Sequence, residues 1–146
     1  MLAWPTRLWQ NDEMKQGSLL LALTLWATPA LAQSPMSAEA FENYATGKTL
    51  VYSESGMPYG AEQYLPGRRV IWTFLDGGCR KGAWYQRADQ ICFRYDHAPE
   101  NPQCWTFFRS DDGLTARFEN DPQARVLVEV EQSPEPLVCP GPKVGV

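Results

Sequence analysis

Little in this sequence is suited to covalent or metal chemistry. It has one histidine, His97, and four cysteines, none spaced as C-x-x-C, so neither a zinc site nor a thioredoxin-type redox pair is supported. No G-x-S-x-G, H-E-x-x-H, P-loop or dinucleotide fingerprint occurs. A basic excess is also missing: 13 Lys and Arg against 17 Asp and Glu give a formal charge of −4. That balance argues against an electrostatic grip on nucleic acid or anionic lipid. No catalytic residue, cofactor or metal is assigned from the sequence.

What is present is core-forming material. Hydrophobic residues make up 44%, aromatics 12% and charged residues 21% of the 146, which excludes an acidic disordered tail or a low-complexity linker. The first 32 residues read as an export signal, leaving 146 − 32 = 114 residues, enough for one domain. Lys15 precedes an apolar stretch, Leu19 to Ala27, too short to span about 30 Å of hydrocarbon. Small residues at Ala30 and Ala32 then form an A-x-A site. Cleavage after Ala32 is expected, with residues 14–32 as the signal, no membrane span afterwards, and a periplasmic or secreted location. Asp12 and Glu13 stand where a basic flank belongs, so 1–13 reads as a misassigned start and Met14 as the more ordinary beginning.

The four cysteines, Cys79, Cys92, Cys104 and Cys139, all lie in 33–146, and an even count in a small exported domain implies two disulfides. Side-chain alternation chooses among the three connectivities. Two β-type runs, Ile91 to Tyr95 and Gln103 to Phe107, flank a loop with two prolines. With Cys92 opposite Cys104, residues Ile91, Phe93, Tyr95, Trp105 and Phe107 share one face while Cys92, Arg94, Cys104 and Thr106 share the other. This favours Cys92 with Cys104, and leaves Cys79 to hold the C-terminal segment through Cys139.

The fold class expected is mostly β, an antiparallel meander or small open barrel with one short N-terminal helix. Ser37 to Gly47 reads as that helix: Ser37 is the N-cap, Phe41 and Tyr44 face the core, and Gly47 is the stop. It is expected to cap an open end of the sheet. Period-two runs follow, cut by Gly, Pro and Asp every eight to twelve residues. They place strands at Thr49 to Ser53, Ala61 to Leu65, Arg69 to Leu75, Ala83 to Gln86, Gln90 to Tyr95, Gln103 to Phe108, Thr115 to Glu119 and Arg125 to Glu131. Asp76-Gly77-Gly78 and Asp111-Asp112-Gly113 supply turns. The proline-rich tail after Ser133 is expected to be irregular and held by Cys139.

Three groups invite a functional reading. Asp96-His97 resembles a proton-transfer pair, but sequence neighbours do not fix side-chain geometry, and an exposed loop histidine is the plainer reading. Asp111, Asp112 and Asp121 lack the register of a calcium loop and read as turn caps. The segment from Tyr59 to Phe74 is the most distinctive: Glu62, Arg68 and Arg69 lie among aromatics that could form a stacking platform, with the arginines binding a carboxylate. Against it, Val70, Trp72 and Phe74 alternate along one strand as core residues do, and the arginines then project into water or pair with Glu62.

From Phe41 to its C-terminus the chain resembles a group of small exported alphaproteobacterial proteins that carry a domain of unknown function. The residues behind this are Tyr59-Gly60-x-Glu62-x-Tyr64-Leu65-Pro66-Gly67-Arg68-Arg69-Val70-x-Trp72, Asp76-Gly77-x-Cys79, Gly82-x-Trp84-Tyr85, Ile91-Cys92-Phe93-x-Tyr95 and Pro102-Gln103-Cys104-Trp105. The resemblance implies export, a β-rich fold and structural cysteines, with no assigned activity, cofactor or catalytic residue. The expectation is therefore a non-enzymatic exported domain that binds a small ligand or an envelope protein through an aromatic surface or a sheet edge. An envelope enzyme or enzyme inhibitor, with a site assembled from distant residues, is the alternative. Convergence of at least three of Glu62, Arg68, Arg69, Asp96 and His97 in one pocket would favour the enzyme; scatter would favour the binding module.

Overall fold

Among the described residues eight strands follow one helix, and each pairs antiparallel with its sequence neighbour: β1 (Thr49–Glu54), β2 (Met57–Leu65), β3 (Arg69–Thr73), β4 (Arg80–Arg87), β5 (Gln90–Tyr95), β6 (Gln103–Ser110), β7 (Gly113–Phe118) and β8 (Val126–Ser133). The structure is a computed structural model that describes residues 33–121, 123 and 125–140. The expected start at 1–13 and signal at 14–32 lie outside those residues.

The sheet is closed. Val51 of β1 is opposite Ala61 of β2 on one side and Glu131 of β8 on the other, so pairing of β1 with β8 makes a complete barrel rather than a meander or an open one. Closure pairs every strand on both sides and removes the sheet edge as a docking route. No helix among the described residues is long and apolar enough to cross a membrane.

The strand positions follow the alternation, with corrections at the ends. β2 begins at Met57, four residues before the expected start, and β4 at Arg80. β3 stops at Thr73, so Phe74 leaves the strand and is 40% exposed, unlike Val70 (1%) and Trp72 (8%) on the same face. The physical reason is local: Leu75 takes a φ of 65°, which breaks the ladder just past Thr73.

Inward positions form the core. Leu50, Tyr64, Val70, Trp84, Ile91, Phe93, Phe107 and Leu114 are buried there. Across β5 and β6, Ile91 is opposite Trp105 and Cys92 opposite Cys104, and the latter two are bridged on the outer face. The second disulfide joins Cys79 to Cys139 across a 60-residue separation. By loop entropy the shorter and longer bridges are worth about 3 and about 4 kcal/mol. Two disulfides suit an oxidising compartment.

The helix α1 (Ala38–Ala45) plugs one end. Ser37 caps it, its Oγ accepting from the Ala40 N–H at 3.1 Å, and Gly47, at φ 84°, turns the chain into β1. Phe41 is fully buried, its ring 4.5 to 6.4 Å from those of Tyr64, Trp84, Phe93 and Phe107. Burial of that size is worth about 1.5–3 kcal/mol. Arg68, in the β2–β3 turn, fastens the plug from outside: its guanidinium donates to Glu42 of α1 at 3.0 Å and lies over the Trp84 ring. In an up-and-down barrel the connections after β2, β4 and β6 share this end, and those after β1, β3, β5 and β7 share the other. The tail runs along the outside of β1 and β2. The Thr49 hydroxyl donates to the Glu135 carbonyl, the Leu137 N–H donates to Gln63 Oε1, and Cys139 then reaches Cys79 in the β3–β4 loop.

Candidate functional site: the aromatic cavity of the barrel

Because α1 fills one end, the space inside the barrel lies toward the other. It amounts to about 280 Å³, near the lower bound of small-molecule pockets. Tyr52, Trp72, Tyr95, Trp105 and Leu127 form its walls, and Tyr59, Phe74, Arg80, His97 and Gln103 reach it from the open end. Trp72 sits at the centre of an aromatic group, its ring 5.8 Å from Tyr59, 5.3 Å from Phe74 and 6.5 Å from Tyr52. Gly60 makes this possible: a Cβ there would fall 2.2 Å from the Trp72 indole, so only glycine lets the ring lie against β2.

Glu62 projects into this cavity from β2 and is only 3% exposed. The Tyr95 hydroxyl donates to its Oε2 at 2.8 Å, while Oε1 has no hydrogen-bond partner among the described residues. Burial pushes its carboxyl up to about 8, against the opposing effect of the Tyr95 hydrogen bond, so at neutral pH the group is largely protonated. Burial also raises the phenols of Tyr52, Tyr64 and Tyr95, which stay neutral, and the Tyr52 and Tyr64 hydroxyls share a hydrogen bond of 2.9 Å. The cavity thus offers aromatic faces around one half-satisfied carboxyl.

A second inward acid, Glu129 of β8, is built differently. Its carboxylate accepts from the Tyr44 hydroxyl at 2.8 Å, the Leu114 N–H at 2.8 Å and the Gln132 side chain at 3.2 Å. Both its oxygens are used, and they tie the plug to β7 and β8. The same carboxylate helps to raise Tyr44, pushed up to about 12 first by burial and then by that hydrogen bond.

Among the residues singled out in the sequence, the structure brings Glu62 and His97 to the same cavity. His97 lies exposed in the loop after β5, its ring 6.1 Å from that of Tyr95. Arg68 is at the opposite end, engaged with Glu42 and Trp84. Arg69 is exposed on the outer face, beside a separate groove that Asp96 also lines. Asp111 and Asp112 form the β6–β7 turn, and Asp121 accepts from the Gln123 N–H at 2.8 Å. Among the described residues no group of three His, Cys, Asp or Glu is placed to hold a metal. Tyr52, Arg80 and Gln103 line the cavity without being singled out by the sequence, and Tyr95 and Trp105, which alternation places on the inner face, line it as well. One signal for the acid among the aromatics is present in the sequence, since the alternation that turns Tyr64 inward also turns Glu62 inward, two residues before it. No protein family, curated protein or solved structure matches the chain.

Proposed function

We propose that this protein is a non-enzymatic binding module, exported to the periplasm or beyond, that takes a small, largely apolar ligand into the open end of its barrel. The observation that carries this reading is the aromatic cavity with Glu62 half-partnered at its wall. Binding sites for small molecules combine mostly apolar walls with a few placed polar groups, and that is the composition here. Export is part of the reading, supported by the Lys15, Leu19 to Ala27 and Ala30-Leu31-Ala32 pattern and by the two disulfides. Of the five residues whose convergence would favour an enzyme, two share the cavity and three lie outside it, which favours binding over catalysis.

The test is titration of the purified mature domain with small aromatic probes, benzene to indole in size, followed by tryptophan emission and calorimetry. Saturable binding at one site is expected, and Ala116→Phe, which fills the cavity from β7, should abolish it while the circular dichroism spectrum is kept. Binding that survives in the filled variant would place the ligand elsewhere and refute the cavity reading.

A further inference from the structure

We propose that the cavity takes a small organic ammonium ion, with the Glu62 carboxylate as its counter-ion and the aromatic rings as its walls. This rests on the reading of the cavity as a ligand site. A buried carboxyl normally satisfies both oxygens, as Glu129 does in the same barrel, yet Glu62, which lines the cavity, leaves Oε1 without a partner among the described residues. An ammonium group supplies the missing donor and the missing charge together. Around it, the rings of Tyr52, Trp72 and Tyr95 line the cavity, and aromatic ring faces attract cations, most strongly when water is excluded.

The groups facing Glu62 leave it free for this role. Tyr52 of β1, Tyr64 of β2 and Tyr95 of β5 are neutral phenols. Glu129 of β8 is engaged with α1 and β7. Arg80, at the start of β4, is held over the Phe74 ring at 4.6 Å at the mouth, and His97 is exposed there. An anionic ligand would pair with Arg80 at the mouth but leave Glu62 Oε1 unpaired.

Binding moves one proton. In the free protein near neutral pH, Glu62 is largely COOH. The ligand enters as R-NH3+ and keeps its three protons, and the carboxyl proton leaves to solvent, giving COO−···R-NH3+. Binding therefore releases close to one proton per site.

Calorimetry with four probes of similar size tests this: 2-phenylethylamine, 2-phenylethanol, ethylbenzene and 3-phenylpropionate, each in two buffers of different ionisation enthalpy at about pH 6.5. The amine is expected to bind at least about tenfold more tightly than the alcohol and to release close to one proton. Glu62→Gln should erase both the preference and the release; the release in the unsubstituted protein is a readout that does not depend on the variant folding. If the alcohol or the hydrocarbon binds as well as the amine, the ammonium assignment falls and the cavity reading stands. Tightest binding by 3-phenylpropionate also overturns it, assigning the site to Arg80 and His97. If none of the four binds, both readings fall.

Discussion

Replacing Glu62 by glutamine should reverse sign in its effect on stability as pH rises. Burial lifts the folded-state carboxyl from 4.5 to about 8, whereas in the unfolded chain it titrates near its ordinary value. Between these two values the folded protein holds a proton that the unfolded chain has lost, so stability falls as pH rises through this window and the loss levels off above about 8. Below about 4.5 both states are protonated and the group contributes no pH dependence. At 1.36 kcal/mol per pH unit, the full difference corresponds to about 5 kcal/mol, a ceiling, because water entering through the mouth can solvate the ionised group. The glutamine side chain keeps the shape and can still accept from Tyr95, but it does not ionise. At about pH 5 the variant should match the parent or fall about 1 kcal/mol below it, since its amide N–H groups gain no new acceptor. By about pH 9 it should be the more stable by several kcal/mol. Urea unfolding of both proteins across this range, disulfides intact, gives the difference directly, because the two proteins differ at residue 62 alone. Parallel stability profiles from pH 5 to 9 would refute the burial argument for Glu62.

Trp72→Ala should lower stability by about 3 kcal/mol, the low end for a buried tryptophan because one side of the ring borders the cavity. Denaturant unfolding measures this, with Arg69→Ala as an exposed control on the same strand, and aromatic-probe binding should weaken in parallel. An unchanged midpoint would remove Trp72 from the core. Cys139→Ser should cost up to about 4 kcal/mol and free the β3–β4 loop that carries Phe74, seen as lower stability and faster probe dissociation; unaltered dissociation would show that the tail does not shape the mouth.

Much of the architecture can be read from side-chain period alone. A register with Cys92 opposite Cys104 puts Phe93, Tyr95, Trp105 and Phe107 on one face, and these residues are buried inside the barrel. Closure cannot be read that way. Whether β8 returns to β1 depends on strand tilt and accumulated stagger, which are properties of the whole sheet. Alternation misplaces Phe74 for a local reason, since it continues in the sequence one step beyond the point where Leu75 turns the backbone aside. Trp72 poses a choice between core and ligand platform that the barrel dissolves. It is 8% exposed and lines the cavity, so burial in the core and a place on the cavity wall are compatible in one residue.

Arg68 and Glu62 show why residue type alone misleads about sites. A guanidinium among aromatics suggests anion binding; in the structure Arg68 donates from Nε and Nη2 to Glu42 of the plug and lies over Trp84. The two inward acids are equally glutamate and almost equally buried, at 3% and 5% exposed, but Glu129 has donors at both oxygens while Glu62 has one. A buried carboxylate with donors at both oxygens ties together the elements that supply them, here α1, β7 and β8. A half-satisfied one weakens the fold that encloses it, and is retained at a net cost unless something outside the chain completes it. The plugged end of the barrel holds the first kind and the open end holds the second, and the proposed site rests on this asymmetry.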